Sequence, residues 1–152
     1  MGVYQYPSPI GTILLSMKSG YFTKIWLSKP NGGDCREAYP ALPREFAADF
    51  DRYFGGVPVR FAWPLRLDGT PFQNRVWQVL KKIPYGCTTT YKQIGDQLET
   101  KGYRAVGSAV GANPLLIVIP CHRAVAAKGM GGFAYGLTVK RFLLELEKAA
   151  VK

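Results

Sequence analysis

The sequence predicts an α+β fold, within the broad α/β class, in which an antiparallel sheet is followed by a helical domain. Two observations predict it, and a third indicates where the second domain begins. Alternating apolar and polar residues, which suit strands, are confined to residues 3–28. Apolar spacing that suits helices begins after residue 44. Positive charge is uneven as well, because residues 70–152 hold 12 Lys and Arg against 4 Asp and Glu, or +8 of the total +10.

The first part of the chain is predicted to form a meander of three strands. Turn residues, Pro7-Ser8-Pro9 and Ser19-Gly20, separate three apolar runs. The predicted strands are Val3–Tyr6, Thr12–Met17 and Phe22–Leu27. Connections this short favour antiparallel pairing of each strand with the next one along the chain.

One helix is predicted between the sheet and the basic half. Prolines and glycines indicate a loop over residues 29–43, and residues 45–54 place three phenylalanines on one helical face. Residues 57–67 are predicted to give a further strand and a linker. Because the composition turns basic after that point, we divide the chain into domains of residues 1–68 and 69–152.

The second domain is predicted to begin with a capped helix. Thr70 and Gln73 have the spacing of a capping box, and Pro71 suits the first helical position. This helix should end near residue 82, where the turn Pro84-Tyr85-Gly86 follows.

A helix-turn-helix unit is predicted next, from two short helices over residues 91–98 and 102–112 with a tight joint. The Asn113-Pro114 step ends the second helix, because the residue before proline is forced out of the helical region. The remaining predicted elements are an apolar strand at 115–119, a glycine-rich loop at 129–132 and a helix at 138–148.

Composition narrows the classes of function. A positive charge concentrated in one small domain is expected of a protein that binds phosphate backbones, so nucleic acid is the leading partner. The chain has no long apolar run, which predicts no membrane span. Cys35, Cys87 and Cys121 form no CxxC pair, and with a single histidine they predict reduced thiols and no metal.

The residues with the clearest chemical potential are Cys121 and the only histidine, His122, which follows it directly. A thiolate is the best side-chain nucleophile, and histidine titrates near neutral pH. On an extended strand the two side chains would point to opposite faces, so a bridging water would have to connect them. The alternative is a buried structural cysteine beside a capping histidine.

Seven short motifs between residues 70 and 148 favour the chemical interpretation, because their order and spacing resemble the O6-alkylguanine-DNA alkyltransferases, also called methylated-DNA–protein-cysteine methyltransferases. The motifs are Thr70-Pro71-Phe72-Gln73, Ile83-Pro84-Tyr85-Gly86, Thr90-Tyr91, Arg104-Ala105-Val106-Gly107, Asn113-Pro114, Ile119-Pro120-Cys121-His122-Arg123 and Lys140-Arg141-Phe142-Leu143-Leu144-Glu145-Leu146-Glu147. The resemblance implies a ribonuclease-H-like N-terminal domain with an antiparallel sheet and helix. It also implies a winged-helix-like C-terminal domain that carries the active-site cysteine.

The resemblance also implies a reaction and its residues. Cys121 would take the alkyl group from O6 of guanine, and from O4 of thymine as a further possibility, in one irreversible turnover. His122 would act through a water as the base, Glu147 would orient His122, and Asn113 would connect the helix turn to this network. Arg104 would enter the base stack in place of a flipped nucleotide, and Tyr91 would help to swing the phosphate. Further base-binding and DNA-binding positions are Ala105, Gly107, Ser108, Val110, Ala124, Phe133, Ala134 and Tyr135.

The implied partner is double-stranded DNA that contains O6-alkylguanine. No cofactor is implied, and no glycine-rich phosphate loop or S-adenosylmethionine fingerprint is evident. The resemblance further implies a monomer, with cooperative binding on DNA left open. The implied location is the cytoplasm of a prokaryotic cell, on the nucleoid when DNA is bound, or the nucleus of a eukaryote.

Three other functions compete with repair. Alkyltransferase-like proteins bind alkylated guanine without repairing it and lack the cysteine. The presence of Cys121 argues against this function. A winged-helix regulator would suit the helix pair but not the Pro120-Cys121-His122 run. A Cys-His hydrolase would need a direct contact between thiol and imidazole.

Overall fold

The computed structural model describes residues 2–28 and 39–150, which form two compact units. The first unit takes the chain up to Leu67 together with Pro114–Leu116, and the second takes Asp68–Asn113 and the chain from Ile117 onward. The predicted α+β fold class is confirmed. Cys35 and most of the predicted 29–43 loop lie outside the described residues.

The sheet of the first unit has the predicted order and direction. The strands are β1 (Gly2–Ser8), β2 (Gly11–Lys18) and β3 (Tyr21–Leu27). They are antiparallel and pair in the order β1-β2-β3, with Leu14 of β2 opposite Gln5 on one side and Trp26 on the other. Side chains of β2 are buried on both faces, since Ile13, Leu14 and Leu15 have no exposed surface.

Helix α1 (Arg44–Phe54) closes the aromatic core of this unit, as its phenylalanine spacing predicted. The ring of Phe50 lies 5.0 Å from that of Tyr6 and 5.1 Å from that of Trp63, distances typical of favourable aromatic pairs. Trp63 Nε1 donates a hydrogen bond of 2.8 Å to Asp49, which holds the segment after α1 against the helix.

The further strand predicted within residues 57–67 is wrong. That segment makes a single bridge to β3, at Leu65 opposite Phe22, and is otherwise irregular. Pro58 and Pro64 lack the backbone N–H that a continuous ladder needs, so pairing does not extend.

The second unit contains four α-helices among the described residues: α2 (Pro71–Lys81), α3 (Tyr91–Gln97), α4 (Tyr103–Gly111) and α5 (Leu137–Ala150). The predicted capping box is present at the start of α2, where Thr70 Oγ1 accepts a hydrogen bond from the Gln73 N–H and the Thr70 N–H donates to Gln73 Oε1. Helix α3 begins at the predicted residue, and Thr90 and Gln93 form a second capping box there. Trp77 of α2 donates a hydrogen bond of 2.8 Å to the carbonyl of Ala109 in α4.

The predicted strand at residues 115–119 is also wrong. After one bridge between Leu115 and Ile25, the chain makes a turn in which Ile117 has φ +69°. The left-handed region is costly for a β-branched residue, and the near-complete burial of Leu116 and Ile117 offsets that cost. Cys121 therefore does not end a strand. It begins a short 3-10 helix, Cys121–Arg123.

Candidate active site

Cys121 is held in the interior of the second unit by the elements on either side of it. Cys121 is 8 % exposed and is the first residue of the 3-10 helix, directly after Pro120. The next element is β5 (Ala124–Val125), whose Ala124 pairs in parallel with Thr89 of β4 (Thr89–Thr90). Because α3 begins immediately after β4, this pairing brings the start of the helix-turn-helix unit to the cysteine.

Several opposing effects act on the Cys121 thiol, and its pKa is raised overall. Burial raises its pKa, because a thiolate is poorly solvated in the interior. A hydrogen bond from the side chain of Asn113 and the positive charge of Lys140 act in the opposite direction and favour the thiolate. The site therefore contains the groups that a buried nucleophilic cysteine needs.

His122 is completely buried and points to a carboxylate. Its Nε2 lies 2.5 Å from Oε2 of Glu147, which is 1 % exposed. Arg123 donates to the same carboxylate through Nε at 2.8 Å, and the backbone N–H of Gly86 donates at 3.2 Å. Glu147 is thus fixed from three directions and holds the imidazole in one orientation.

The protonation states of this pair follow from burial and charge. Burial opposes ionisation of Glu147, but the hydrogen bonds and positive charge of His122 and Arg123 lower its pKa to about 2. Burial lowers the pKa of His122, although Glu147 favours the charged form. At neutral pH we therefore expect an ionised Glu147 beside a neutral imidazole that donates its Nε2–H to it. Its Nδ1 is then the nitrogen that can accept a proton.

Lys140 also belongs to the site. It lies in one of the sequence motifs, but the sequence predicted no role for it. Its side chain is fully buried, and Nζ donates hydrogen bonds to the carbonyls of Ala124 at 2.7 Å and Gly132 at 2.9 Å. Nζ also lies 5.9 Å from the ring centroid of Tyr91. Burial lowers the pKa of Lys140, and the charge of Cys121 opposes that shift. A lysine on the buried face of a helix was the sequence signal that could have identified it.

Asn113 lies where the turn after α4 meets the cysteine segment. Its Nδ2 donates a hydrogen bond of 2.7 Å to the carbonyl of Ile119, and its side chain also bonds to the Cys121 thiol. One amide group thus joins the end of α4 to the last residue of the turn and to the cysteine that opens the 3-10 helix. The resemblance implied that Asn113 connects the helix turn to the cysteine network, and its role in that network stays a prediction.

The loop after β5 brings the predicted pocket residues together. Tyr91 OH donates to the carbonyl of Gly132 at 3.5 Å, and a Cβ at Gly131 would lie 2.8 Å from the Tyr91 ring. The rings of Phe133 and Tyr135 pack edge to face at 5.8 Å. Both of these rings are half-buried, whereas Ala134 between them is exposed. Gly131, with φ +72°, permits both the turn and the close approach of Tyr91.

Helix α4 presents most, but not all, of the predicted DNA-facing residues at the surface. Arg104, Ala105 and Ser108 are exposed, and Gly107 is half-buried. Val110 is 5 % exposed and shares the buried face with Val106 and Ala109. The assignment of Val110 to the DNA-facing surface is therefore corrected, because its side chain packs into the unit.

Within residues 2–28 and 39–150 there is no group of three His, Cys, Asp or Glu side chains arranged to hold a metal ion. In the same ranges we find no helix that is both long and apolar enough to span a membrane.

The sequence is similar to known proteins over nearly its whole length. Residues 71–149 match the family model described as 6-O-methylguanine DNA methyltransferase, DNA binding domain. A methylated-DNA–protein-cysteine methyltransferase of Saccharolobus solfataricus is 40% identical over 142 residues, which cover 93% of this chain and 92% of the relative. A protein of the same name from Haemophilus influenzae is 39% identical over 150 residues, covering 94% and 84%.

Solved structures are similar as well. The Mycobacterium tuberculosis protein OGT, solved in complex with DNA, matches with a TM-score of 0.86 and 36% identity over 99% of this chain and 94% of that one. O6-methylguanine-DNA methyltransferase from Pyrococcus kodakaraensis matches with a TM-score of 0.72 and 28% identity, covering 95% and 97%.

Proposed function

This chain belongs to the methylated-DNA–protein-cysteine methyltransferase family, and we propose that Cys121 is the residue that accepts the alkyl group. The protein repairs DNA by direct transfer from O6-alkylguanine to a cysteine of its own. The observation that carries the assignment to Cys121 is the buried pair of His122 and Glu147 directly beside this cysteine, in which His122 Nε2 lies 2.5 Å from Glu147 Oε2. Cys87, which is exposed, lacks such a partner pair among its described contacts.

The chemical step is a displacement at the alkyl carbon. The Cys121 thiolate forms a bond from Sγ to that carbon while the bond from the carbon to O6 breaks, and the electron pair stays with guanine. Guanine then takes up a proton. A thioether has no easy leaving path, so each protein reacts once. Hydrogen bonds from Asn113 and the charge of Lys140 favour the thiolate before the step.

The thiol proton leaves through His122. Side chains of neighbouring residues in a 3-10 helix point about 120° apart. The imidazole therefore does not contact the thiol directly, and a water molecule has to connect them. The proton passes to Nδ1, because Nε2 already donates to Glu147. Glu147 then stabilises the imidazolium by its negative charge, as the third member of a nucleophile, base and orienter set does.

DNA binding belongs to α4 and the loop after β5 in this proposal. Arg104 at the start of α4 fills the gap in the base stack, and the small residues Ala105, Gly107 and Ser108 let the helix approach a groove. The flipped base lies against Tyr91, Phe133 and Tyr135, with backbone groups of Ala124 and Ala134 as hydrogen-bond partners. Residues 69–152 form the domain for both tasks, and the protein acts in the cytoplasm.

Intact-mass spectrometry after incubation with duplex DNA containing O6-methylguanine tests this proposal. We expect a gain of one CH₂ unit per protein, located at Cys121 by peptide mapping. Cys121→Ser should show no gain and should bind DNA within a few-fold of the parent, because phosphate contacts supply most of the affinity. Cys87→Ser is the matched control and should gain the unit normally. Transfer that persists in Cys121→Ser would remove Cys121 as the acceptor.

A further inference from the structure

Three side chains form a network at the joint between α3 and α4. Tyr103 OH donates a hydrogen bond of 3.0 Å to Oδ1 of Asp96, and Oδ2 of the same carboxylate lies 3.1 Å from Nζ of Lys92. That Nζ lies 5.9 Å from the centroid of the Tyr103 ring. The carboxylate therefore uses one oxygen within α3 and the other to hold the first residue of α4.

The ring of Tyr103 also rests on the backbone of α3. A Cβ placed at Gly95 would lie 2.7 Å from Cδ1 and 2.8 Å from Cε1 of that ring, closer than real Cβ contacts. Gly95 is buried within the helix and has no left-handed backbone, so the reason for glycine here is the close approach of the ring. Tyr103 is thus fastened by its face and by its hydroxyl.

These contacts of Tyr103 lie at the start of α4, which has no side-chain cap. Helices α2 and α3 each begin with a complete capping box, whereas α4 has Gly102 at the N-cap and no side-chain cap hydrogen bond. An uncapped first turn leaves N–H groups without an internal partner and tends to fray. The tertiary contacts of Tyr103 restrain that turn.

We propose that Tyr103 is a positioning residue for Arg104, which follows it directly in the first turn of α4. Holding Tyr103 on Gly95 and Asp96 fixes the backbone from which the long Arg104 side chain extends, so that it meets DNA from one direction. Small displacements of a positioned group are costly in rate. This role rests on the proposed function, in which Arg104 enters the base stack.

Single-turnover rates on two substrates test this role. Tyr103→Ala should slow repair of duplex O6-methylguanine DNA about tenfold and leave the reaction with free O6-benzylguanine within about twofold, since a free base needs no inserted arginine. Tyr103→Phe, which keeps the ring, should lie between Tyr103→Ala and the parent. Tyr21→Ala, at an exposed tyrosine of the first unit, is the control and should change neither rate. Equal slowing on both substrates would show a structural role and overturn the proposal.

One double variant and one single variant separate the role of Tyr103 from that of Arg104. In an Arg104→Ala background, Tyr103→Ala should slow duplex repair no further, and an additive loss would mean that Tyr103 acts on its own. If Arg104→Ala itself leaves duplex repair unchanged, the proposed function of Arg104 fails, whatever Tyr103 does.

Gly95→Ala provides an independent route to the same displacement. It should slow duplex repair by pushing the ring away, and it should cost nothing more once Tyr103 is alanine. A Gly95→Ala effect that persists without the ring would also overturn the proposal.

Discussion

Nε2 of His122 lies 2.5 Å from Oε2 of Glu147, with both side chains buried to within 1 %. Such a pair is stable only when its charges are balanced, and here Arg123 supplies the balancing cation through two nitrogens, at 2.8 and 3.2 Å from the carboxylate. The pair therefore serves both the chemistry and the stability of the fold.

We expect Glu147→Gln to remove the part of the acid dependence of stability that Glu147 contributes. The pKa of Glu147 falls from 4.5 to about 2 on folding, which contributes roughly 3 kcal/mol at neutral pH. Because the folded pKa is depressed, this stability is present above pH 4.5 and is lost as pH falls towards 2. Melting temperatures of variant and parent should converge between pH 7 and pH 3. Glu145→Gln, exposed on the same helix, should follow the parent; parallel curves for Glu147→Gln would contradict the assignment.

Lys140→Met should raise the pKa of the Cys121 thiol and slow transfer. The substitution removes the cation that favours the thiolate, and each unit of increase lowers the thiolate fraction about tenfold. The rate of Cys121 modification by iodoacetamide, followed against pH, measures the pKa directly. Lys148→Met, on the exposed face of the same helix, is the control. If the midpoint of the pH dependence is unchanged in Lys140→Met, Lys140 does not set the pKa of Cys121 and only donates hydrogen bonds to the carbonyls of Ala124 and Gly132.

Arg104→Ala should weaken duplex binding and slow duplex repair far more than it slows reaction with free O6-benzylguanine. The cost of opening the base stack, a few kcal/mol, arises only in a duplex. Arg141→Ala removes the same charge from an exposed position on α5 and controls for the loss of a cation. Equal slowing with both substrates would mean that Arg104 supports the fold or the thiol instead.

Local signals predicted much of this molecule from its sequence. The Thr70 to Gln73 spacing placed the start of α2 correctly because a capping box needs only those residues and their own backbone. The apolar run at 115–119 was misread as a strand. A buried apolar run has the same sequence pattern whether it forms a strand or a turn. Its conformation here depends on one bridge to the distant Ile25 and on the hydrogen bond from Asn113 to Ile119.

The environment of the site was harder to foresee for the same reason. The partners of Lys140 are carbonyls of Ala124 and Gly132, which have no side-chain signature in the sequence. The role of Arg123 likewise depends on where α5 packs, since Glu147 is 24 residues away along the chain.

Glu99→Asn should stabilise the protein. Glu99 is exposed at the end of α3 and has φ 56°, a conformation in which asparagine and glycine are favoured over glutamate. Relief of part of this strain, which costs about 1–2 kcal/mol for most residues, should raise Tm by roughly 1–4 °C for a chain of this size. Glu99→Ala removes the charge and keeps the strain, so it should give no such gain. Equal melting temperatures for the asparagine variant and the parent would contradict the explanation.

Alkylated protein should be less stable than free protein, and benzylated protein less stable than methylated protein. Cys121 is almost fully buried, so an added group needs space that the packing around the 3-10 helix does not provide.

Overpacking a close-packed site costs about 1–3 kcal/mol, a large share of the ~5–15 kcal/mol that keeps a small protein folded. A thioether is also a weaker acceptor than a thiolate, so the bond from Asn113 to the sulfur is weakened and the turn before Cys121 loses part of its restraint. Thermal melts of the unmodified, methylated and benzylated forms measure this. Melting temperatures that stay level or rise across the series would show that the pocket accommodates the adduct.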